Sequence, residues 1–190
     1  TFYLSRLFPR PPEFALAGPF IGAPYAVMLL ESLVSWGVRR FLLLGWCGAV
    51  APAGRTGDLI LPTCGLVGEG TSRHYRPGTE AAEADAGLEA ALRRELVACG
   101  APYHEGPVCS TDGIYRETPR QIEAFRARGA LAVDMELSAL LSAGAALGVA
   151  VGGLLVVSDE LSTLEWRPGF RDPRFQQARR SNGAAVSRAC

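Results

Sequence analysis

The chain has 190 residues, enough for one domain with a sizeable core, and at 48% hydrophobic and 20% charged it reads as globular rather than disordered. Its formal net charge of +0 argues against nucleic acid or an anionic membrane as partner. No apolar run reaches the roughly 18 residues that cross a bilayer.

In chain order, residues 14–18 form a short apolar run ending in glycine. Pro24 suits the first position of a helix, Val27, Leu30 and Val34 follow at helical spacing, and Gly37 supplies a stop. Residues 40–45 (RFLLLG) have the pattern of a buried strand. Strand, helix and strand in so short a span predict a βαβ unit with a parallel pair. Residues 57–62 are another short strand between breakers, and 65–78 a long loop or irregular hairpin. Leu88, Leu92 and Leu96 mark an amphipathic helix closed by Gly100, and residues 107–111 a strand. Thr118, Pro119 and Gln121 predict a capped helix start of the capping-box kind, and Gly129 its end. A strand over 131–133, a small-residue helix over 136–147 stopped by Gly148, and an all-apolar strand over 149–157 follow. That last run predicts burial on both faces. Asp172-Pro173 opens a C-terminal helix that Gly183 weakens.

Strands alternate with helices almost throughout, which predicts one α/β layered domain over 1–190. All 19 basic residues are Arg. The absence of Lys rules out a Schiff-base lysine, a pyridoxal-phosphate anchor and a P-loop lysine, and leaves Arg, His or backbone N–H groups for any anion. The five cysteines (Cys47, Cys64, Cys99, Cys109 and Cys190) form no C-x-x-C pair, and no secretory signal is visible. Reduced thiols in a cytoplasmic protein are the expectation. With only His74 and His104 beside them, no metal site and no cofactor are expected.

In open α/β sheets ligands sit beyond the carboxyl ends of strands. Three segments occupy such ends. Gly45-Trp46-Cys47-Gly48 offers close backbone approach and N–H groups to an oxygen, or is a tight turn whose glycines serve backbone shape. Asp134-Met135-Glu136 precedes a helix. Glu136 suits the two hydroxyls of a vicinal diol, with Met135 as an apolar wall, or is a carboxylate placed by the helix dipole. Ser158-Asp159 ends the most apolar strand. Surroundings of that kind favour a neutral carboxyl and so a general acid; the other reading is a cap. The polar stretch from Glu69 through Arg73 to Tyr75 is expected to support the site at most. Residues 133–161 thus look built to hold a ribosyl group between Glu136 and Asp159.

These segments, in this order, resemble the nucleoside phosphorylase superfamily, which includes purine nucleoside phosphorylase, uridine phosphorylase and the methylthioadenosine nucleosidases. Residues 18–24 (GPFIGAP) look like its glycine-rich strand end. Residues 45–48 followed by Gly57-Asp58 look like its central glycine turn and next strand. Residues 110–115 (STDGIY) resemble the segment that covers the base, residues 133–136 (VDME) its ribose signature, and residues 157–159 (VSD) its purine-type members. Residues 68–75 are closest to the uridine branch.

The resemblance implies a three-layer α/β sandwich with a central mixed, mostly parallel sheet flanked by helices, lacking the family's usual first strand. It implies N-glycosidic cleavage of a nucleoside, of purine type by the Asp159 match, with inorganic phosphate as co-substrate. Met135 and Glu136 would hold the ribose. Asp159 would assist the leaving base, with Ile114, Tyr115, Asp134 and Ser158 around that base. Gly45, Trp46, Cys47 and Arg116, with Arg73, would face the nucleophile. A homodimer or larger homo-oligomer is implied, since the family builds its site at a subunit interface. The family's second phosphate Arg falls at Leu43, its turn hydroxyl at Trp46 and its stacking aromatic at Ile114. Hydrolysis by water, and nucleoside binding without turnover, are therefore the alternatives.

Overall fold

The computed structural model describes residues 3–6 and 15–189. Phe14 and Cys190, which figured in the expectations above, lie outside them. The strands are β1 (Tyr3–Arg6), β2 (Ala15–Gly18), β3 (Arg40–Ala49), β4 (Leu59–Gly68), β5 (Ala81–Glu83), β6 (Tyr103–Thr111), β7 (Ala132–Asp134), β8 (Ala150–Glu160) and β9 (Arg167–Pro168). The helices are α1 (Ala23–Ser35), α2 (Ser72–Tyr75), α3 (Ala86–Ala98), α4 (Pro119–Ala127), α5 (Leu137–Leu147) and α6 (Pro173–Ala189), and a single 3-10 turn spans Ile114–Arg116.

The main sheet is mixed, in the order β5-β4-β6-β7-β3-β8-β9. Its longest ladders, β3 with β8 and β4 with β6, are parallel. β4 also pairs antiparallel with β8 through Leu59–Val156 and Ile60–Leu155. That pairing closes β4, β6, β7, β3 and β8 into a distorted ring.

β8 is buried on both faces, as its all-apolar run predicts. Leu155 and Val157 join a core with Ala26, Val27 and Leu30 of α1 and Leu137, Leu140 and Leu141 of α5. Leu154 and Val156 join the opposite core with Leu92 and Leu96 of α3 and Phe175 of α6. This is the period-2 alternation of a strand between two helical layers. Each fully buried leucine there contributes about 1.5–3 kcal/mol of burial free energy. A third cluster, with Ile122 and Phe125 of α4, Val133 and Leu161, closes the carboxyl ends of β7 and β8.

Most helix limits follow the signals in the sequence. Pro24 lies in the first turn of α1. Gly37, Gly100, Gly129 and Gly148 take positive φ just beyond α1, α3, α4 and α5. Four expectations are corrected. β2 pairs with β1 in a separate two-stranded antiparallel sheet, so β2 and β3 do not form the parallel pair of a βαβ unit. Residues 45–48 are not a turn: β3 runs straight through them, with a register shift between Cys47 and Gly48. β4 continues to Gly68, because its ladder with β6 shifts register between Pro62 and Gly65 and absorbs both breakers. At α4 the Thr118 side chain makes no cap bond; its backbone carbonyl accepts from Gln121 and Ile122 instead.

β4 and α5 touch at Gly65, where a β-carbon would stand 2.6 Å from Ser138 Cα and 2.9 Å from its backbone N. Helix backbone cannot swing aside as a side chain can. Gly65→Ala is expected to destabilise the fold by about 1–3 kcal/mol, read as a lower urea midpoint at unchanged slope. Gly183→Ala in α6, where nothing lies within 4 Å of the added carbon, should leave the midpoint unchanged or raise it.

Candidate functional site

The site forms where β7 and β8 flank the end of β3. Gly48 is registered against Val133 on one side and Asp159 on the other. The two acid-bearing strand ends are therefore two strand spacings apart, roughly 10 Å. A β-carbon on Gly48 would stand 3.0 Å from Leu161 Cδ1 and 3.1 Å from Asp159 Oδ2. Glycine is the residue that leaves the Asp159 carboxylate its place.

On the β7 side the chain turns from strand into α5 at Glu136, its N-cap residue. Asp134 is expected against the base, but it lies buried beneath the site. Its Oδ2 accepts from the backbone N–H of Leu137 at 2.8 Å and of Glu136 at 3.2 Å, and its Oδ1 from Ser110 Oγ at 2.5 Å. The open amides of a helix first turn need such an acceptor. Burial, together with the nearby Glu136 charge, pushes the Asp134 carboxyl up to about 7, against the pull of Ser110 and the two amides.

The bonding continues inward. Ser138 N–H donates to Ser110 Oγ at 2.8 Å, and Ser138 Oγ to Glu69 Oε1 at 2.9 Å. Glu69 also accepts from the Ser72 hydroxyl and from the Thr71 and Ser72 amides. The expected supporting role of the 69–75 stretch thus has a physical form, a buried polar chain under α5.

Above that chain Glu136 is half-buried, and its Oε1 accepts from Gly22 N–H at 2.5 Å. This bond ties the loop before α1 to the start of α5. Burial raises the Glu136 pKa, and the Gly22 and Met135 amides offset part of the rise.

On the β8 side Asp159 is half-buried. The enclosure by apolar groups that its strand suggests is not built, because two donors hold the carboxylate. Ser158 Oγ lies 2.6 Å from Oδ1, and Trp166 Nε1–H donates to Oδ2 at 3.0 Å. Ser158, expected at the base, is buried behind Asp159 and also reaches the Cys47 carbonyl at 3.3 Å. Glu117, just after the 3-10 turn, lies close enough to feel the same carboxylate's charge. Burial first and the Asp159 charge second push its carboxyl up to about 7. Arg126 of α4 braces the edge, donating to the Val50 carbonyl at 2.6 Å and to the Ser162 carbonyl.

The expected nucleophile side is not brought together. Gly45 packs into the β3–β8 ladder, its missing β-carbon 2.9 Å from Leu155. The Cys47 thiol is buried in the core, where burial and then the Asp134 and Asp159 charges hold its pKa high and keep it neutral. Trp46 alternates to the other face of β3 and packs edge-on against Phe175 of α6 at 5.2 Å. Arg73 lines a cleft with Arg128 and Thr79. Ile114 is half-exposed, and Tyr115 is 98% exposed. Arg116 is exposed on the same turn. The sequence reading missed Glu117 and Trp166. The aromatics Trp166 and Phe170, in a Pro- and Gly-containing segment soon after Asp159, were the available signal.

A mixed sheet within two helical layers, with acids at the ends of β7 and β8, defines the class to which sequence comparison assigns the chain. It belongs to the phosphorylase superfamily, whose profile matches residues 2–189. It is 30% identical over 153 residues to a guanosine phosphorylase of Halorubrum lacusprofundi, covering 78% of this chain and 62% of that protein. It is 30% identical over 146 residues to the uridine phosphorylase of Escherichia coli, covering 70% and 58%. It is 31% identical over 153 residues to a DeoD-type purine nucleoside phosphorylase of Jannaschia, covering 80% and 65%. The chain thus spans less than two thirds of the length of these curated relatives.

The raised carboxyl at Glu117 has a consequence for stability. It titrates at about 7 when folded, against the ordinary value of 4.5. Between those values the folded state binds the extra proton, so its contribution to stability falls as pH rises from about 4.5 to 7. Glu117→Gln removes that loss. Thermal melts should place the variant level with or below the parent at pH 4.5 and move it upward relative to the parent by pH 8. An equal offset at both pH values would contradict the assignment.

Proposed function

We propose that the protein cleaves the N-glycosidic bond of a nucleoside, of purine type, with inorganic phosphate as acceptor. The observation that supports the reading is that β7, which ends just before Glu136, and β8, which carries Asp159, both pair with β3 at Gly48, through Val133 and Asp159. The names of the relatives support the substrate class.

In this reading Glu136 accepts hydrogen bonds from the ribose hydroxyls and fixes the sugar. As the C1′–N bond breaks, its electron pair leaves with the base. Asp159 donates a proton or hydrogen bond to the base nitrogen that takes the charge. Positive charge developing on the sugar is stabilised by carboxylates nearby. A phosphate oxygen then forms the new bond at C1′. Arg116, exposed on its turn, is the cation in this chain proposed for the phosphate. A cytoplasmic homo-oligomer belongs to the same proposal, and the exposed Met28 and Trp36 on and beside α1 are apolar surface that a subunit contact would cover.

A second reading, hydrolysis by water, is favoured by one observation. Leu43, where the family's phosphate Arg falls, is buried in the apolar core beside α1 and α5.

Release of free base from inosine, guanosine and uridine, with and without phosphate, separates the two. Phosphate-dependent release is the expected result, and equal release without phosphate establishes the second reading. Asp159→Asn should lower kcat for purine nucleosides by about 10²–10⁴-fold at unchanged melting temperature; unaltered kcat would sink the acid role. Glu136→Gln should weaken nucleoside binding about tenfold or more by calorimetry, and unchanged affinity removes the ribose assignment.

A further inference from the structure

We infer that Trp166 is the aromatic surface on which the nucleobase stacks and the residue that favours purines over pyrimidines, an inference that rests on the reading just given. The case begins with the path of the chain after β8. Residues 161–166 leave the sheet and come straight back, because β9 pairs antiparallel with β8 through Asp159–Pro168 and Glu160–Arg167. The outward limb is fixed by Leu161, which is buried and donates its N–H to the Ala49 carbonyl at 2.8 Å. The turn is made at Leu164, at φ 66, with its N–H on the Leu161 carbonyl at 2.9 Å.

The return limb is fixed at Gly169, whose N–H donates to the Ser158 carbonyl at 2.9 Å. A β-carbon at Gly169 would stand 2.2 Å from Thr56 Cγ2 and 2.7 Å from the Ser158 oxygen. Only glycine permits that approach, and the approach delivers the residues just before it to Asp159.

The ring delivered is Trp166. Its Nε1–H meets Asp159 Oδ2 at 3.0 Å. Its centroid lies 6.5 Å from Phe170, which lies 6.3 Å from both Trp46 and Phe175. Phe175 is buried in the core. A relay of aromatic contacts therefore runs from the core to the acid, each pair in a tilted or edge-on arrangement of favourable geometry. Yet Trp166 itself is 61% exposed. Much of a rigid indole, fixed at both ends, is left open to solvent beside the carboxylate.

A purine is a planar heterocycle with hydrogen-bonding edges. An acid on its edge and an aromatic face beside it are what it requires. Ile114 has no aromatic face, and Tyr115 stands free in solvent at 98% exposure. Trp166 is bound to the acid itself. Its large face gains more from a two-ring base than from a one-ring base. The indole N–H also holds Asp159 in its orientation, so one residue both stacks and aims.

The test uses the full chain with Trp166→Leu and Trp166→Phe. Trp166→Leu is expected to raise KM for inosine and guanosine by roughly tenfold to a hundredfold, while KM for uridine moves less than threefold. Trp166→Phe keeps a ring and loses the N–H. It should hold purine KM within about threefold of the parent while lowering purine kcat severalfold, because Asp159 has lost the donor that orients it. Purine KM within twofold of the parent in Trp166→Leu, or equal rises for purine and uridine, would overturn the inference. If Trp166→Leu does not fold, Trp166→Phe decides alone, and a purine kcat equal to the parent's overturns it. If the parent cleaves no nucleoside, the proposed function fails by itself. The inference is then read by calorimetry with hypoxanthine: binding by the parent that is lost in Trp166→Leu supports it, and no binding by the parent overturns it.

Discussion

At Gly48 one backbone serves two neighbours. Val133 of β7 and Asp159 of β8 are registered against the same residue, and the space where its side chain would be is filled by Leu161 and the Asp159 carboxylate. The register shift beside it, between Cys47 and Gly48, lets one strand satisfy both partners. β-Bulges often re-aim a strand beside a site in this way. A larger residue there would press on the Leu161 side chain and the Asp159 carboxylate.

Beneath that point the domain accepts a cost. Glu69, Ser72, Ser110, Asp134 and Ser138 are all buried. They replace water for one another and for the first amides of α5. A polar group left unpaired in such a place is expensive, whereas a fully bonded chain is rigid. The carboxyls at Asp134 and Glu117, each raised to about 7, record the same compromise. Burial disfavours their charge, and the hydrogen bonds at Asp134 recover part of it. The result is a firm floor under Glu136.

Much of this was legible in the sequence, and the rest failed for identifiable reasons. The helices announce themselves because their punctuation is local: Pro24 at one end of α1, and Gly129 and Gly148 just past α4 and α5. The strands β3 and β4 were read too short because a glycine needed for packing looks the same as a glycine needed for a turn. Gly45 leaves room for Leu155, and Gly65 leaves room for α5. Glu136 and Asp159 were singled out because both stand at strand ends. Which acid of the Asp134–Glu136 pair faces inward was not legible, since that depends on the amides of α5 and on Ser110, 24 residues earlier. Glu117 carries no local mark, and Trp166 only that of an aromatic segment soon after Asp159. They matter only because the fold brings both to Asp159.

The ring made when β4 pairs with β8 bears on a different problem. An open sheet of this size would present two long edges of unpaired backbone groups, each a template for another chain. Here the longest strands are spent on one another, and the main sheet ends instead in β5, three residues long, and β9, two residues long. Edges so short give an intruding strand little to register against. The same closure joins positions near residue 60 to positions near residue 155, a pairing between distant parts of the chain that forms only after a large loop has closed. The geometry that guards the finished fold against aggregation therefore lengthens the interval in which the unfinished one is exposed to it.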